Sequence, residues 1–546
     1  MSPIAQPTTH EVFNQAPPLV DYNVFATDRA MRAAVKREGA AWALADLDAF
    51  GARMGTAETF ALGVSANKFT PVLQNFDRYG YRRDEVEFHP AYHALMALAV
   101  GQGLHSAPWA DPRPGAQVAR AAGVMLFCQA EAGVQCPITM TYGVVPALRH
   151  APDIAKSWLP RIFSRDYDRR FIPAEGKTGA LLGMGMTEKQ GGSDVRANTT
   201  RAEPTGGGEF RLTGHKWFLS APMCDAFLVL AQAPGGLTCF FLPRFTSDGA
   251  PNAIQIQRLK DKLGNRSNAS SEVEFAGARA WPVGPEGRGV PIIIEMAAHT
   301  RLDCALGSSG LMRQGLAQAL NHAAHRSAFQ RRLVDQPMMR HVLADLAIES
   351  EAATTLGLRL ARTFEVDAGP GAAHLRRLMT PAAKFLVCKR TPVFMAEAME
   401  VLGGNGYVEE SPMPRLYREA PVNSIWEGSG NIMCLDVLRA LQRTPEAVDA
   451  YFHELAPARG ADKRLDRAIA VLESDLRAGT TPEASARRLT ERLVLAWQGA
   501  LLVQAGASDV ADAFCATRLD SEWSGVFGAF AGEVAADAII ARAMPA

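Results

Sequence analysis

A block with strand character, residues 181–287, interrupts a chain whose hydrophobic periodicity is otherwise helical. Glycines are dense in this block, and short β-favouring runs alternate with turn signals. Phe210–Leu212, a Thr213–Gly214 turn and His215–Leu219 predict a hairpin inside it. Short strands at this spacing are typical of a small sandwich or barrel. We therefore predict a mainly α fold with a central antiparallel β domain.

Helix signals lie on both sides of the β block. Asp28 precedes a periodic segment that ends near Gly39, which predicts a capped helix, and Pro152 predicts another helix start. Apolar residues at helical spacing predict two buried helix faces. They are Met339, Val342, Leu343 and Leu346 in one helix, and Leu465, Ile469, Leu472 and Leu476 in another. Thr444-Pro445-Glu446 and Thr481-Pro482-Glu483 predict two further helix starts near the C-terminus.

The order of helical and β-rich segments predicts four domains, the first of which begins with an extended arm of about 25 residues. They are an N-terminal helical domain (1–180), a β-barrel or sandwich domain (181–287), a helical bundle (288–440) and a C-terminal helical domain (441–546).

Composition excludes several classes of protein. The 57 Lys and Arg residues equal the 57 Asp and Glu residues, so a globally basic nucleic-acid coat protein is excluded. A hydrophobic content of 48% excludes a wholly disordered chain. The eight cysteines are scattered, which is typical of buried thiols in a reducing compartment. With no signal-peptide pattern and no long apolar run, we predict a cytoplasmic protein.

Common cofactor and nucleophile motifs are absent from the sequence. Gly284, Gly287 and Gly289 do not have dinucleotide-motif spacing, and there is no P-loop or GxSxG elbow. His89 with His93, and His322 with His325, have no third ligand nearby. We interpret these histidines as packing or surface pairs, and we predict no metal site.

Six separate segments, in one order, carry the strongest functional signal. They are MTEKQGGSD (186–194), GHKWFLSAP (214–222), KDKLGNRS (260–267), HRSAFQ (325–330), EVLGGNGY (400–407) and RLYREAPVNSIWEGSGNI (415–432). Together they resemble the signature segments of the acyl-CoA dehydrogenase superfamily of flavoproteins. The resemblance covers roughly residues 181–440, and it implies FAD as cofactor and an acyl-CoA as substrate.

The resemblance also implies which residues hold the cofactor. Small residues let backbone approach a bulky ligand closely, which suits the glycine-rich first segment. The residues implied around the isoalloxazine ring are Met184, Met186, Thr187, Gly191, Gly192, Ser193, Phe218, Leu219 and Ser220. Those implied in the last segment are Ile425, Trp426, Gly428 and Asn431.

A second group of residues is implied to bind FAD held by a neighbouring subunit. Arg326 and Phe329 have i, i+3 spacing, which would place them on one helix face, and Gly403 and Gly404 would approach the same cofactor. An arginine suits the pyrophosphate because its planar fork donates several hydrogen bonds. The resemblance therefore implies an obligate homo-oligomer, a tetramer.

Glu427 is implied as the general base, with Arg301 close to it. In this family, the base removes the α-proton of an acyl thioester while hydride leaves the β-carbon for the flavin. A carboxylate in a dry, apolar site has a raised pKa and suits this role. Phe218 stands where relatives have Trp. Trp426 stands where many relatives have Tyr, and its larger ring would narrow the acyl channel. We therefore expect weak dehydrogenase activity.

The detailed sequence of these segments and the long C-terminal region resemble an alkylation-response branch of the superfamily that is linked to double-stranded DNA. Residues 441–546 contain 11 Lys and Arg residues against 15 Asp and Glu residues, a net charge of −4. Clustered cations matter more than this sum for binding phosphates. The clusters are Arg459, Lys463, Arg464 and Arg467, then Arg487, Arg488 and Arg492, with Arg439 and Arg443 just upstream. Two interpretations stay open: a DNA-protecting flavoprotein with weak isovaleryl-CoA-like activity, or a catabolic acyl-CoA dehydrogenase with an extension.

Overall fold

The computed structural model describes residues 9–479, 482–520, 525–530 and 532–545. Its helices and strands follow the predicted order of a helical block, a β block and further helices. The α-helices are α1 (Arg29–Arg37), α2 (Leu44–Met54), α3 (Ala57–Lys68), α4 (Pro90–Gly101), α5 (Ala107–Ala110), α6 (Ala116–Ala130), α7 (Gln135–Leu148), α8 (Pro152–Ile162), α9 (Gly289–His325), α10 (Pro337–Arg362), α11 (Ala372–Val401), α12 (Gly404–Tyr407), α13 (Met413–Glu419), α14 (Gly430–Arg443), α15 (Glu446–Leu455), α16 (Lys463–Arg477), α17 (Ala486–Gln504), α18 (Ser508–Phe514) and α19 (Ala536–Ala543). The strands are β1 (Val72–Phe76), β2 (Arg82–Glu87), β3 (Leu182–Gly185), β4 (Arg201–Gly206), β5 (Glu209–Ser220), β6 (Ala226–Ala233), β7 (Gly236–Pro243), β8 (Ile254–Leu259), β9 (Ser270–Pro282), β10 (Ser327–Ala328) and β11 (Arg331–Arg332).

The β block is a closed barrel. The pairings run β6–β4–β5–β9–β7 and return to β6, with β8 beside β9 and β3 beside β6. Closure leaves few open edges and buries the inner faces of the strands. The predicted antiparallel order holds for most pairs, but β3 and β4 run parallel to β6. The sheet is therefore mixed. Strands β3 and β4 pair with successive parts of the same edge of β6.

The predicted turn at Thr213–Gly214 is wrong. Strand β5 passes straight through it, and the register against β9 shifts between Leu212 and Thr213. Gly214 has φ +150°, and a Cβ atom there would lie 2.6 Å from Thr200 Cα. The glycine therefore marks a bulge at a close backbone approach. The hairpin turn between β4 and β5 lies at residues 206–208 instead.

The N-terminal block is helical apart from one hairpin. The Asp28 carboxylate accepts the Met31 N–H at 2.9 Å and caps α1, as predicted. Strands β1 and β2 form an antiparallel hairpin that the sequence pattern did not predict. Their exposed and half-exposed side chains give only a weak alternation, so the period-2 signal was lost.

Helices α9, α10 and α11 form the bundle that supports the barrel. Ser308 Oγ on α9 donates to Cys388 Sγ on α11 at 3.4 Å, and a Cβ atom at Gly315 would lie 2.8 Å from Met395 Sδ. Contact positions thus advance together along both helices, so α9 and α11 run parallel. Their C-terminal ends consequently lie at the same end of the bundle.

The C-terminal block packs on this bundle and shares its hydrophobic core. Leu465, Ile469 and Leu472 are buried, as the apolar stripe predicted. Arg518 is buried between Asp345 and Glu349 of α10, with Nη2–carboxylate distances of 2.5 and 3.0 Å. The predicted start at 481–483 lies partly outside the described residues, because position 481 is one of those not described.

The described residues offer neither a membrane-spanning helix nor a cluster of metal ligands. No helix among them has the length and apolar character needed to cross a membrane. No group of three or more His, Cys, Asp or Glu side chains among them could hold a metal ion.

Candidate functional site

The glycine-rich segment after β3 is bonded to β5, and the solvent-facing surface that these two elements form is called the cleft. Glu188 and Gly191 exchange backbone hydrogen bonds of 3.2 and 3.1 Å, which closes a tight turn. The Thr187 carbonyl accepts the Trp217 N–H at 2.8 Å and ties the turn to β5. A Cβ atom at Gly192 would lie 2.5 Å from Thr187 Oγ1, so this position requires glycine. Met184 is buried, Met186 is half-buried, and Ser193 is exposed.

Glu188 anchors this segment rather than taking part in chemistry. Its carboxylate is fully buried and lies 2.7 Å from Lys216 Nζ. It also accepts the Thr199 N–H at 2.7 Å, at the start of the path into β4. Burial alone would raise the pKa of Glu188, but the Lys216 ammonium and the backbone donors hold it well below its usual value.

Strand β5 supplies the facing wall. Alternation along the strand places Phe218 and Ser220 on the cleft side and the Leu219 side chain in the barrel core. Only the backbone of Leu219 is therefore available to a ligand. Phe218 is 49% exposed, a large aromatic surface with no core to cover it. Lys260 Nζ lies 4.7 Å from the Phe218 ring centre.

A hydrogen-bonded chain leads from the cleft to a buried lysine. Ser220 Oγ lies 3.3 Å from Ser270 Oγ, which accepts from Lys262 Nζ at 3.1 Å. Burial lowers the pKa of Lys262 to about 8. Lys262 lies in the KDKLGNRS segment, yet its part in the site was missed, because the motif alone does not show which way the side chain points.

Two buried acceptors without partners lie near this chain. Asn268 Oδ1 and Gln135 Oε1 are enclosed and accept no hydrogen bond. Cys136, which follows Gln135, interacts with the side chains of Ser220 and Asn268. A buried orphan acceptor is costly unless a ligand or water supplies a donor. Orphan acceptors, a serine hydroxyl and an exposed aromatic face together fit the polar edge and flat ring of a flavin.

Glu427 lies in a strained turn next to α9. Its φ is +57°, in the left-handed region that costs a non-glycine residue roughly 1 kcal/mol or more. Thr300 Oγ1 donates to Glu427 Oε2 at 2.5 Å. Burial raises the pKa of the Glu427 carboxyl, an effect that the Thr300 hydrogen bond and the charges of Lys384 and Arg301 partly offset.

The side chain of Arg301 contacts the backbone of the turn. Its Nε donates to the Glu427 carbonyl at 3.1 Å, and its Nη1 lies 2.8 Å from Asp436. Lys384, which is buried, donates from Nζ to the carbonyls of Trp426 and Gly428 at 2.7 and 2.5 Å. These two cations hold the strained turn in place.

Sequence reasoning missed Thr300 and Lys384. Thr300 directly precedes Arg301, which gave some signal. The only sequence signal for Lys384 is that it is a single charged residue inside an apolar helical run.

The remaining residues of the last segment differ in exposure. Ile425 is exposed, while Trp426 is half-buried and donates from Nε1 to Asn423 Oδ1 at 2.9 Å. Gly428 has φ +100°, and a Cβ atom there would lie 2.4 Å from Met433 Cε. Asn431 Oδ1 already accepts from Arg487 Nη1 at 2.8 Å.

The predicted helix face of Arg326 and Phe329 is wrong. Helix α9 ends at His325, Arg326 is its C-cap, and Phe329 lies at the tip of the hairpin formed by β10 and β11. Phe329 has φ +52° and is 96% exposed. Gly403 and Gly404 follow α11, are exposed, and have open space where a Cβ atom would point.

The two groups of candidate residues lie at opposite ends of α9. Thr300, which holds Glu427, and His325, which precedes Arg326, are roughly 38 Å apart at 1.5 Å per residue. That separation exceeds the length of one FAD molecule. Because α9 and α11 run parallel, Gly403 lies at the same end as Arg326. The residues implied around the flavin ring therefore lie together near Glu427. Arg326, Phe329, Gly403 and Gly404 form a second group that is far from them within one chain.

The basic residues of the C-terminal block divide into paired and unpaired sets. Arg459, Arg464 and Arg492 form ion pairs with Glu473, Asp462 and Asp475 at 2.9, 2.5 and 2.7 Å. Among the described residues, the exposed basic side chains with neither an ion pair nor a side-chain hydrogen bond are Arg439, Arg443, Lys463, Arg467 and Arg488, whereas the exposed Arg487 donates to Asn431. The unpaired set lies on α14, α16 and α17, and α17 packs against both of the other helices.

Three protein families match consecutive parts of the chain. Residues 14–169 match the adaptive response protein AidB N-terminal domain. Residues 183–278 match the acyl-CoA dehydrogenase middle domain, and residues 287–442 match the acyl-CoA dehydrogenase C-terminal domain.

Known proteins of the same kind match over most of the chain. AidB of Escherichia coli (strain K12) is 50% identical over 94% of this chain and 95% of its own length. The structure of Caenorhabditis elegans ACDH-11 in complex with C11-CoA covers 96% of both chains with a TM-score of 0.85 and 27% identity. The apo form of Bd2924 covers 91% of this chain and 100% of its own, with a TM-score of 0.80 and 29% identity.

Proposed function

This chain belongs to the acyl-CoA dehydrogenase family, and we propose that it is an FAD-binding, alkylation-response protein with weak acyl-CoA dehydrogenase activity. The observation that carries the proposal is the half-buried carboxyl of Glu427, in a strained turn held by Thr300, Arg301 and Lys384. FAD is the cofactor of this family, and the cleft between the glycine-rich segment and β5 fits its ring.

Each residue of the site has a definite part in that activity. FAD, when bound, supplies the acceptor for the hydride that leaves the β-carbon of the acyl group. Glu427 takes the α-proton onto its carboxylate, and the raised pKa makes that oxygen a stronger base. Arg301 and Lys384 hold the base through backbone carbonyls, and Phe218 covers the ring position from water. The acyl-CoA substrate class is supported by the relative that binds C11-CoA.

A homo-oligomer, which we propose is a tetramer, follows from the separation of the two cofactor groups. Glu427 contacts Thr300 while Arg326 follows the last residue of α9, and this separation supports an FAD site built from residues of two chains. The eight free and buried cysteines also support a cytoplasmic, reducing location.

Binding to double-stranded DNA is the second part of the proposal, and the similarity to AidB supports it. The unpaired set of exposed cations would contact phosphates, while the paired arginines already have their charge neutralised. Contacts to phosphate carry no sequence information, so binding is expected to be sequence-independent and to weaken with salt.

Duplex retardation in a salt series tests DNA binding. The variant Arg439→Gln/Arg443→Gln/Lys463→Gln/Arg467→Gln/Arg488→Gln removes the unpaired set, and Arg459→Gln/Arg477→Gln is a matched control that removes paired arginines. We expect the first variant to lose most affinity and to flatten the salt dependence, and the control to bind like the wild type. Wild-type retention that is equal at low and moderate salt would contradict the proposal.

The second candidate is a catabolic acyl-CoA dehydrogenase with a C-terminal extension. The contacts of Thr300, Arg301 and Lys384 with the Glu427 turn favour it, because they would hold a working base in place. Steady-state turnover of short branched acyl-CoAs with an artificial electron acceptor separates the two functions. Slow turnover together with salt-sensitive duplex binding supports the first candidate. Fast turnover without duplex binding supports the second.

A further inference from the structure

The N-terminal arm is hydrogen-bonded to the hairpin that carries Phe329. Asn14 Nδ2 donates to the Ser327 carbonyl at 2.8 Å, and the Ser327 N–H donates to Asn14 Oδ1 at 2.7 Å. Arg326 Nη1 donates to the Asn14 carbonyl at 2.6 Å. Asn14, more than 300 positions away, thus bonds to both residues that lead into the hairpin, to Ser327 through its side chain and to Arg326 through its backbone carbonyl. The sequence analysis treated these first residues only as an extended arm.

The backbone at this contact is held in unusual conformations on both sides. Asn14, Phe329 and Gln330 have φ values of +55°, +52° and +62°. Asparagine tolerates this region better than most residues, whereas phenylalanine and glutamine pay a cost that neighbouring contacts must offset. The Asn14 bonds to Ser327 supply such contacts at the base of the hairpin.

A second bond fixes the course of the arm. Asn321 Nδ2 on the last turns of α9 donates to the Pro17 carbonyl at 2.9 Å. The segment between Asn14 and Pro17 therefore lies across the end of α9, and it does not depend on Asn14 alone for its path. Removing the Asn14 side chain should loosen the hairpin without detaching the arm.

We propose that Asn14 is a positioning residue for the cofactor site of a neighbouring subunit. The inference rests on the proposed function, in which Arg326 and Phe329 bind FAD across the subunit boundary. Arg326 has no acidic partner among the described residues, and its Nη1 bond to the Asn14 backbone carbonyl aims the guanidinium while leaving its charge available. The Asn14 side chain holds that carbonyl in place through its two bonds to the Ser327 backbone. Phe329 is held outward at 96% exposure, as a side chain that contacts another molecule requires.

FAD titration of the apo-protein tests the proposal. In Asn14→Ala, the Kd for FAD should rise at least tenfold, while the thermal melting temperature of the apo-protein stays within experimental error of wild type. Asn14→Gly keeps the left-handed backbone accessible and should show the same loss, which assigns the effect to the side-chain bonds. Thr9→Ala, in the same arm and bonded only to its neighbour His10, is the matched control and should bind FAD like wild type.

The outcomes separate the two claims. If wild-type protein binds no FAD, the proposed function fails. If wild type binds FAD and both Asn14 variants bind it with unchanged Kd, the positioning role is overturned and the proposed function stands.

Discussion

Thr300 and Glu427 set the pH range in which the base is competent. The Thr300 hydrogen bond stabilises the carboxylate and works against the burial that raises the pKa of Glu427. Thr300→Val removes that bond at nearly constant volume, so the pKa of Glu427 should rise further. Because the base must be ionised, the acidic limb of the kcat/KM profile should move to higher pH, by about one unit or less.

A matched control is Thr380→Val, which changes a buried threonine whose hydroxyl has no partner. It should leave the pH profile in place. A Thr300→Val profile whose acidic limb stays put or moves to lower pH would contradict the assignment of Glu427 as the base.

Glu419 makes stability depend on pH near neutrality. Burial raises the pKa of this carboxyl to about 7, while the Asn265 N–H and side chain, which bond to it at 2.6 and 2.7 Å, partly offset that effect. The folded pKa lies above the unfolded value, so its stability contribution is present at low pH and is lost as pH rises through 7. Glu419→Gln should remove that fall.

Urea unfolding at pH 6 and pH 8 measures this effect. With a folded pKa of about 7, the wild type should lose about 1 kcal/mol more than Glu419→Gln between these values. Equal pH dependence in the two proteins would show that Glu419 does not titrate in this range.

Individual elements differ in how well the sequence predicts them. Helices with strong caps or apolar stripes, such as α1 and α16, were predicted because local signals fix them. The β1–β2 hairpin and the bulge at Gly214 were not, because both depend on packing against distant segments. The hairpin after α9 was also missed, since Arg326 and Phe329 fit helical spacing as well as they fit a turn.

The sequence indicated the candidate site residues better than the residues that hold them in position. Motif residues such as Glu427, Ser220 and Gly192 lie on the strained turn, on β5 and in the glycine-rich turn, and their roles in binding and catalysis stay predictions. Lys384, Lys262 and Asn14 were missed, because each reaches its partner across more than one element. Contacts of that kind leave no local pattern in a single sequence.

Docking of the C-terminal block on α10 depends on Arg518. Its guanidinium is buried between Asp345 and Glu349, so Arg518→Met leaves two buried carboxylates without this partner. We expect a loss of about 3–5 kcal/mol in the free energy of unfolding. Arg477→Met, which removes an exposed pair with Glu473, should cost less than about 1 kcal/mol. Equal losses measured by denaturant unfolding would show that the block is not held by the buried network.

At the scale of the whole molecule, the site is expected to be shared between chains. Glu427→Gln and Arg326→Ala should each be inactive when pure. Mixed subunits contain some sites with an intact Glu427 from one chain and an intact Arg326 from another. Co-refolding equal amounts should therefore restore about one quarter of wild-type activity. A mixture that stays inactive would place both residues in the same chain's site.

The central claim is that a flavin lies beside the carboxyl of Glu427. Anaerobic mixing of FAD-loaded protein with a short branched acyl-CoA, followed by the flavin absorbance near 450 nm, tests it most directly. The account predicts slow, partial bleaching in the wild type and none in Glu427→Gln. A protein that remains colourless after incubation with excess FAD, or equal bleaching in both proteins, would contradict it.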